Sequence, residues 1–433
     1  MGEGTAVRTV EEISRSCPEC GAEIRADGRY VAWCAVCDWN VDPEIPHQQQ
    51  DRMERVRRAL SSRHGEKLLA EVTAGASLRA RRDASSLLAF AIALAVHGVT
   101  LALVLGGVWL LVRGWGGVGM VPGLLLLAVA WPLRPRGVRL PEADPVLHRD
   151  DAPELYALVD EVAGVVGTRG VDEVRVDAKV NASVMARGVR GRRLLTLGLP
   201  LWEILTPQQR IALLGHELAH FSNGDTRQGL VVSTAYRSLT TWHYYFTPTA
   251  EPSALEMLVN LLCIVPRLFL QGVLTLLDHL TLRATQRAEY LADREAAGAA
   301  STEAAVGLMD RLLVTDSAAV ALRREVSRAA LAGPRGARTI EAEPQEIWER
   351  LRAHMASIPE YEYERQRRVG VRRGHSVDAT HPPTHLRRTC LLVGPSAPAA
   401  VVTDDERQLR IAVELAGARV TVARRIVRDG FVG

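Results

Sequence analysis

Lysine is almost missing from this 433-residue chain: of 53 basic residues only Lys67 and Lys179 are not arginine. With abundant Ala, Val, Leu and Gly, that bias reads as a GC-rich bacterial genome. The basic residues face 50 Asp and Glu, leaving a formal charge of +3, so no strong global field draws the protein onto a polyanion. Cysteine is scarce too, six in all, which excludes a disulfide-stapled secreted scaffold. Residues 1–12 lack the apolar stretch of a cleavable signal, so the N-terminus is expected to begin in the cytoplasm. No internal repeat or long low-complexity tract is evident. What is plentiful is apolar residues, 47% of the chain, enough for a core and against wholesale disorder.

One segment, Ser86–Val112, lacks formal charge altogether. It is long enough to cross a bilayer, for which about 20 apolar residues suffice. A second apolar run, Trp115–Leu133, is shorter and includes Pro122 and several glycines. The pair predicts a transmembrane helical hairpin at 86–133. Arg79, Arg81 and Arg82 precede it and Arg134, Arg136 and Arg139 follow, whereas the turn holds only Arg113, so both flanks are expected in the cytoplasm. Residues 47–85 read as a basic linker helix, suited equally to an anionic leaflet or to ordinary solvation.

From residue 140 the pattern becomes that of an α+β, mostly helical domain extending to 395, with a helical tail at 396–433. A strand pair is expected around Gly188–Gly191, and TPQQRIALLGHELAHFS reads as a helix capped by Thr206.

Ahead of all this, Cys17-x-x-Cys20 and Cys34-x-x-Cys37 are separated by the stretch 21–33, a spacing that offers four thiolates to one tetrahedral ion. Structural Zn2+ is favoured over iron or a redox dithiol, in a zinc ribbon over residues 1–46 whose hairpin turns at Asp27–Gly28. Nine acidic residues against four arginines in this module oppose phosphate binding, so no nucleic acid is expected there. A protein contact or regulatory role suits it better, although Tyr30, Trp33 and Trp39 also fit a small internal core.

The chemistry lies in His216-Glu217-Leu218-Ala219-His220. On a helix the i, i+4 spacing puts both imidazoles on one face, able to share a zinc, with Glu217 turned by about 100° toward a bound water. Alone, the motif is also satisfied by two solvated helix residues. Glu289 offers a third ligand about 70 residues downstream, giving three ligands and an open position, and Asp293 shares its helical face and can fix the tautomer of a ligating histidine.

Together HELAHFSNGD (216–225), EYLAD (289–293) and THPPTHLR (380–387), behind an N-terminal membrane hairpin, resemble the HtpX-type membrane zinc metalloproteases, gluzincins related to the CAAX prenyl endopeptidases. The resemblance covers roughly residues 86–395. It implies a small sheet plus active-site helices, with His216, His220 and Glu289 as zinc ligands and Glu217 as general base. Asp225 and Asp293 would orient those ligands. His381 would be the electrophilic stabiliser, with His385 as its open alternative, and Arg387 would have an ion-pair role. Asn181, Ala182 and Ser183 would lie on the strand edge that binds an extended polypeptide.

The family's membrane members often carry two more spans between the second histidine and the third ligand. Here that interval contains Arg237, Pro266, Arg267, Gln271 and Asp278, so amphipathic helices that cap the cleft or rest at the membrane surface are expected instead. The expected protein is a multi-pass endopeptidase of the bacterial cytoplasmic membrane, contacting lipid, with ribbon and catalytic domain in the cytoplasm. It would hold one catalytic and one structural Zn2+ and hydrolyse membrane-associated or misfolded proteins. The alternative is a non-enzymatic or gated scaffold whose ribbon recruits a protein partner. The presence of Glu217 weighs against it, since a pure scaffold needs no base. A membrane-tethered transcription factor is disfavoured because no basic reading helix is present.

Overall fold

The computed structural model describes residues 12–43, 52–75, 84–134, 144–188, 191–222, 226–249, 252–331, 345–374 and 381–431. These build a mostly helical fold with a small mixed sheet. At the N-terminus β1 (Glu12–Ser16) pairs antiparallel with β2 (Glu23–Asp27). The turn between them is the first cysteine pair, residues 17–22, and not Asp27–Gly28 as expected; Gly28 lies in a turn, but the residues after it form no strand. A thiolate knuckle can itself reverse the chain, which the glycine rule for hairpins does not anticipate.

Next come α1 (Arg52–Thr73), α2 (Ala84–Arg113) and α3 (Met120–Leu133). Helix α2 has 30 residues and spans about 45 Å, more than a bilayer core, and α3 packs back against it. With 14 residues α3 reaches only about 21 Å, so the second span expected from the sequence falls short as a helix. The other helix long and apolar enough to cross is α8 (Ala254–Ala300), opened by a reciprocal Ser253–Glu256 cap. Its first half exposes Leu255, Leu258, Leu262, Val265 and Phe269, an apolar face that water would not tolerate. Arg267 costs roughly 2.5–3.5 kcal/mol at mid-bilayer, too little to cancel a row of such side chains. Helices α2 and α8 are both long and apolar enough to cross a membrane, which supports a membrane-associated protein. Between them lies α7 (Thr226–Tyr245), whose Ala235, Leu239 and Trp242 share one buried cluster with Ala93 and Val96 of α2 and Leu277 of α8.

The soluble part is built on a four-stranded sheet in the order β3 (Val146–Leu147), β4 (Glu173–Asp177), β6 (Arg192–Gly198), β5 (Ala182–Arg187). Strands β4 and β6 run parallel, while β5 and β6 are an antiparallel pair joined through Gly188 and Gly191, both at positive φ, as the sequence led one to expect. Central β6 is buried from Leu194 to Gly198, whereas β5 forms the edge. Around the sheet pack α4 (Pro153–Val165), α5 (Leu199–Ile204), α6 (Pro207–Ser222), α9 (Thr302–Leu313), α10 (Thr315–Leu331) and α11 (Gln345–Ala356). Then follow α12 (Glu360–Arg373) and α13 (Thr384–Val393). The last helices, α14 (Asp405–Glu414) and α15 (Ala416–Asp429), place Ile411, Leu415, Val422 and Ile426 in the same core, and Glu414 accepts the backbone N–H groups of Glu154 and Leu155 at 2.8 and 2.9 Å. The tail thus caps the start of α4.

Candidate metal centres

Helix α6 begins with the cap its sequence announces: Gln209 N–H donates to Thr206 Oγ1 at 3.3 Å, and Thr206 N–H to Gln209 Oε1 at 3.0 Å. Its residues Ile211–Ala219 are buried, so the two histidines stand on a helix fixed inside the core. At Gly215 the backbone of α8 comes so near that a Cβ would lie 3.0 Å from Ala296 Cα. That close approach brings His216 against Glu289 and Asp293, one turn apart on α8.

Donor atoms of His216, Glu289 and His381 all lie within 4.8 Å of one another, and His220 approaches the same carboxylate of Glu289. His216 Nε2 lies 3.4 Å from Glu289 Oε2, His220 Nε2 3.7 Å from Glu289 Oε1, and His381 Nε2 3.3 Å from Glu289 Oε2. Nitrogen and oxygen ligands about 2.0–2.1 Å from a tetrahedral ion are about 3.4 Å apart, close to these spacings. Glu289 Oε2 is buried without a hydrogen bond, an orphan that a cation would satisfy. The buried carboxyl groups of Glu217, Glu289 and Asp293 outnumber the buried guanidinium beside them, that of Arg387, so the site favours a further cation. The residues therefore fit zinc.

Orientation comes from behind. Asp293 Oδ1 is 3.0 Å from His216 Nδ1, which turns Nε2 toward Glu289. Arg387 donates to both Asp293 oxygens, at 2.8 and 2.6 Å, completing its ion-pair role. Burial opposes charge on Asp293, but Arg387 overrides it and holds the carboxyl well below the usual range. Burial likewise opposes charge on Glu289, yet His381, His216 and His220 bring it down to about 2. For His216, burial and Arg387 work against a proton and the two carboxylates win, lifting it to about 10. Burial lowers His220, keeping it neutral and ready to ligate.

His381 enters this centre, whereas His385 faces Glu66 and the backbone of Gly370. Asp225 lies outside the described residues. Asn181 directly precedes edge strand β5, which packs on α6, and Ala182 and Ser183 begin that strand. A Cβ on Gly198 would collide with the carbonyl oxygens of Lys179 and Asn181, so glycine is required where β6 passes this corner.

In the second cluster the Sγ atoms of Cys17 and Cys37 are 3.6 Å apart and those of Cys20 and Cys34 3.5 Å. A disulfide needs about 2.05 Å, while sulfurs about 2.3 Å from a tetrahedral zinc are about 3.8 Å apart. Backbone N–H groups, that of Cys37 foremost, bring the Cys34 thiol down to about 7. Four thiols on two knuckles fit a structural zinc.

The comparisons with known proteins agree with the first centre: the model of peptidase family M48 matches residues 151–391, more than half of the chain. The chain belongs to peptidase family M48. Within this M48 domain the cluster of His216, Glu289 and His381 is consistent with the catalytic zinc site of a metalloprotease, and the four-cysteine cluster, outside the matched region, could hold a second metal. No curated protein and no solved structure matches the chain. Sequence reasoning missed how the N-terminal segments dock. Helix α1 lies against the active-site helices, with Tyr290 Oη donating to Gly65 O at 3.3 Å, and the four-cysteine module lies against α12, with Tyr361 Oη accepting from Asp27 N–H at 2.8 Å. Nothing in the local pattern signals contacts between segments so far apart along the chain.

Proposed function

We propose that the protein is a membrane-anchored zinc endopeptidase that hydrolyses peptide bonds of membrane-associated or misfolded proteins. The observation that carries this reading is the convergence of His216, His220, His381 and Glu289 beside Glu217 on a buried helix. A zinc ion held by His216, His220 and Glu289 supplies Lewis acidity and lowers the pKa of water to about 7. Glu217, next to His216 and turned from it by about 100°, takes the proton of the attacking water and then delivers it to the departing amine. His381, on the partly open side of the cluster, donates a hydrogen bond to the oxygen that gains charge. Asp293 and Arg387 keep the imidazole of His216 oriented throughout. No side chain forms a covalent bond to substrate.

Edge strand β5 offers unpaired backbone groups to an extended polypeptide, which favours unfolded segments over a strict sequence motif. Helix α8 runs from its apolar half directly into Glu289. Leu276, its last large exposed apolar residue, precedes Glu289 by between three and four helical turns, which sets the site about 20 Å beyond the apolar band. That placement suits substrates emerging from the bilayer.

The test is cleavage of an unfolded reporter such as casein by detergent-solubilised wild type and Glu217→Gln, with products read by mass spectrometry in H2(18)O. Hydrolysis by wild type, with one heavy oxygen at each new C-terminus and none released by the variant, is the expected result. Equal inactivity of both proteins with metal bound would instead favour the scaffold reading.

A further inference from the structure

The segment from His381 to Arg387, which holds two groups of the proposed active site, leads into and forms the first turn of α13. Its neighbours on both sides are held by the N-terminal part of the chain. On one side the four-cysteine module lies along α12. Trp33 and Val41 bury themselves against Val369, and the Arg368 guanidinium sits 4.9 Å over the Trp33 ring. Arg365 donates to Val41 O at 3.0 Å and Arg368 to Ala35 O at 2.8 Å. Arg368 and Arg372 both pair with Asp38, at 2.5 and 3.0 Å, and Arg373 pairs with Asp42. The aromatic face of this module is thus occupied by the chain's own helix.

Helix α12 is tied in turn to α13. Arg367 of α12 and Arg388 of α13 share the carboxylate of Asp310, at 3.0 and 2.9 Å. Arg388 adjoins Arg387, the clamp on Asp293. On the other side α1 touches the same segment: Gly65 is so close to Leu386 that a Cβ would come within 2.9 Å of its Cδ1, and the Tyr290 hydroxyl that reaches Gly65 belongs to the residue after Glu289.

We propose that the four-cysteine module and α1 are positioning elements of the active site, fixing His381 and Arg387 from two sides, and that the hold depends on the module's metal. The dependence follows from size. The module's own core is Cys17, Ile24, Ala26 and Cys34, half of it thiol, too little to persist without an ion across the four sulfurs. Loss of that ion frees Asp38, which follows Cys37 directly and anchors two of the arginines. The inference rests on the reading of His381 given above, but its structural half can be tested without it.

The experiment uses the full chain in detergent and two variants, Cys34→Ser and Arg368→Ala/Arg372→Ala, compared with wild type by amide hydrogen exchange, zinc content and steady-state kinetics. Exchange in Glu360–Arg373 and Thr384–Val393 is expected to rise about tenfold or more in both variants, while β6 and α4 stay protected. One zinc is lost in Cys34→Ser and none in the double variant. In both, kcat falls about tenfold with KM within about twofold, as displacement of a positioned group predicts. Arg368→Lys with Arg372→Lys recovers part of kcat, since two cations again face Asp38. Unchanged exchange in Thr384–Val393 in both variants overturns the proposal, as does a loss of kcat confined to Cys34→Ser. If wild type itself cleaves nothing, the proteolytic reading fails, and the exchange result still decides whether the segment is braced.

Discussion

The two metal centres of this chain are built to opposite designs. In the four-cysteine cluster all the candidate ligands come from two knuckles, so an ion held there would have a closed shell and no position left for a substrate. At the His/Glu centre the candidate donors come from α6 and α8, with His381 of the segment before α13 brought in beside them, elements widely separated along the chain, and Glu217 adjoins them on α6. A site assembled from distant elements can keep one side open, but it relies on the packing that brings those elements together. The lesson is that the first centre makes structure and the second consumes it.

Glu217→Gln should set the two centres furthest apart. It keeps size and metal but removes the base, so kcat is expected to fall by roughly 10²–10⁴-fold with zinc content unchanged. Asp293→Ala should come next. Removing this carboxylate leaves Arg387 buried and unpaired, which costs about 3–5 kcal/mol, and weakens zinc binding at His216 by about 10–100-fold. Chemical denaturation and metal titration would show the two losses, whereas Cys34→Ser should leave the His/Glu zinc in place. A third change concerns the membrane anchor. Leu258→Arg in the apolar half of α8 should cost roughly 2.5–3.5 kcal/mol of insertion and shift protein into the extractable fraction. If α8 lay at the surface as an amphipathic helix, the exposed arginine would change little.

The smallest effect is on acid and base stability of the metal-stripped protein. Glu289 is held at about 2 against an ordinary 4.5, so its contribution is complete above 4.5 and is lost as pH falls through 2. His216 is raised from 6.5 to about 10, so its contribution is complete below 6.5 and is lost as pH rises through 10. Together they give a plateau in melting temperature between 4.5 and 6.5. Saturating zinc should abolish the decline on the alkaline side, because a metal ligand must be unprotonated.

Much of the His/Glu centre was legible in the sequence because its chemistry is periodic. His216 and His220 share a helical face at i, i+4, and so do Glu289 and Asp293, and the capping residues of α6 stand where the helix starts. The apolar half of α8 was less legible, for a reason that is equally physical. Weight was given to Pro266 and Arg267 one residue at a time, although a helix of 47 residues can carry both while its other positions remain apolar. The hairpin of the four-cysteine module was placed by its glycine when the cysteine knuckle turns the chain. What no local pattern could reveal is the docking of Arg365 on Val41 O or of Gly65 on Leu386, since a partner near the opposite end of the chain leaves no mark on the sequence around either residue.

If the two centres hold zinc independently and only one performs chemistry, metal content and activity must separate. The decisive measurement is zinc per chain by elemental analysis alongside casein cleavage for wild type, Glu217→Gln, Glu289→Gln and Cys34→Ser. About two zinc are predicted in wild type and Glu217→Gln, and about one in each of the others. Cleavage should be lost in Glu217→Gln and Glu289→Gln alike and only reduced in Cys34→Ser. Full cleavage by Glu217→Gln, or loss of both ions from either single-ligand variant, would contradict it.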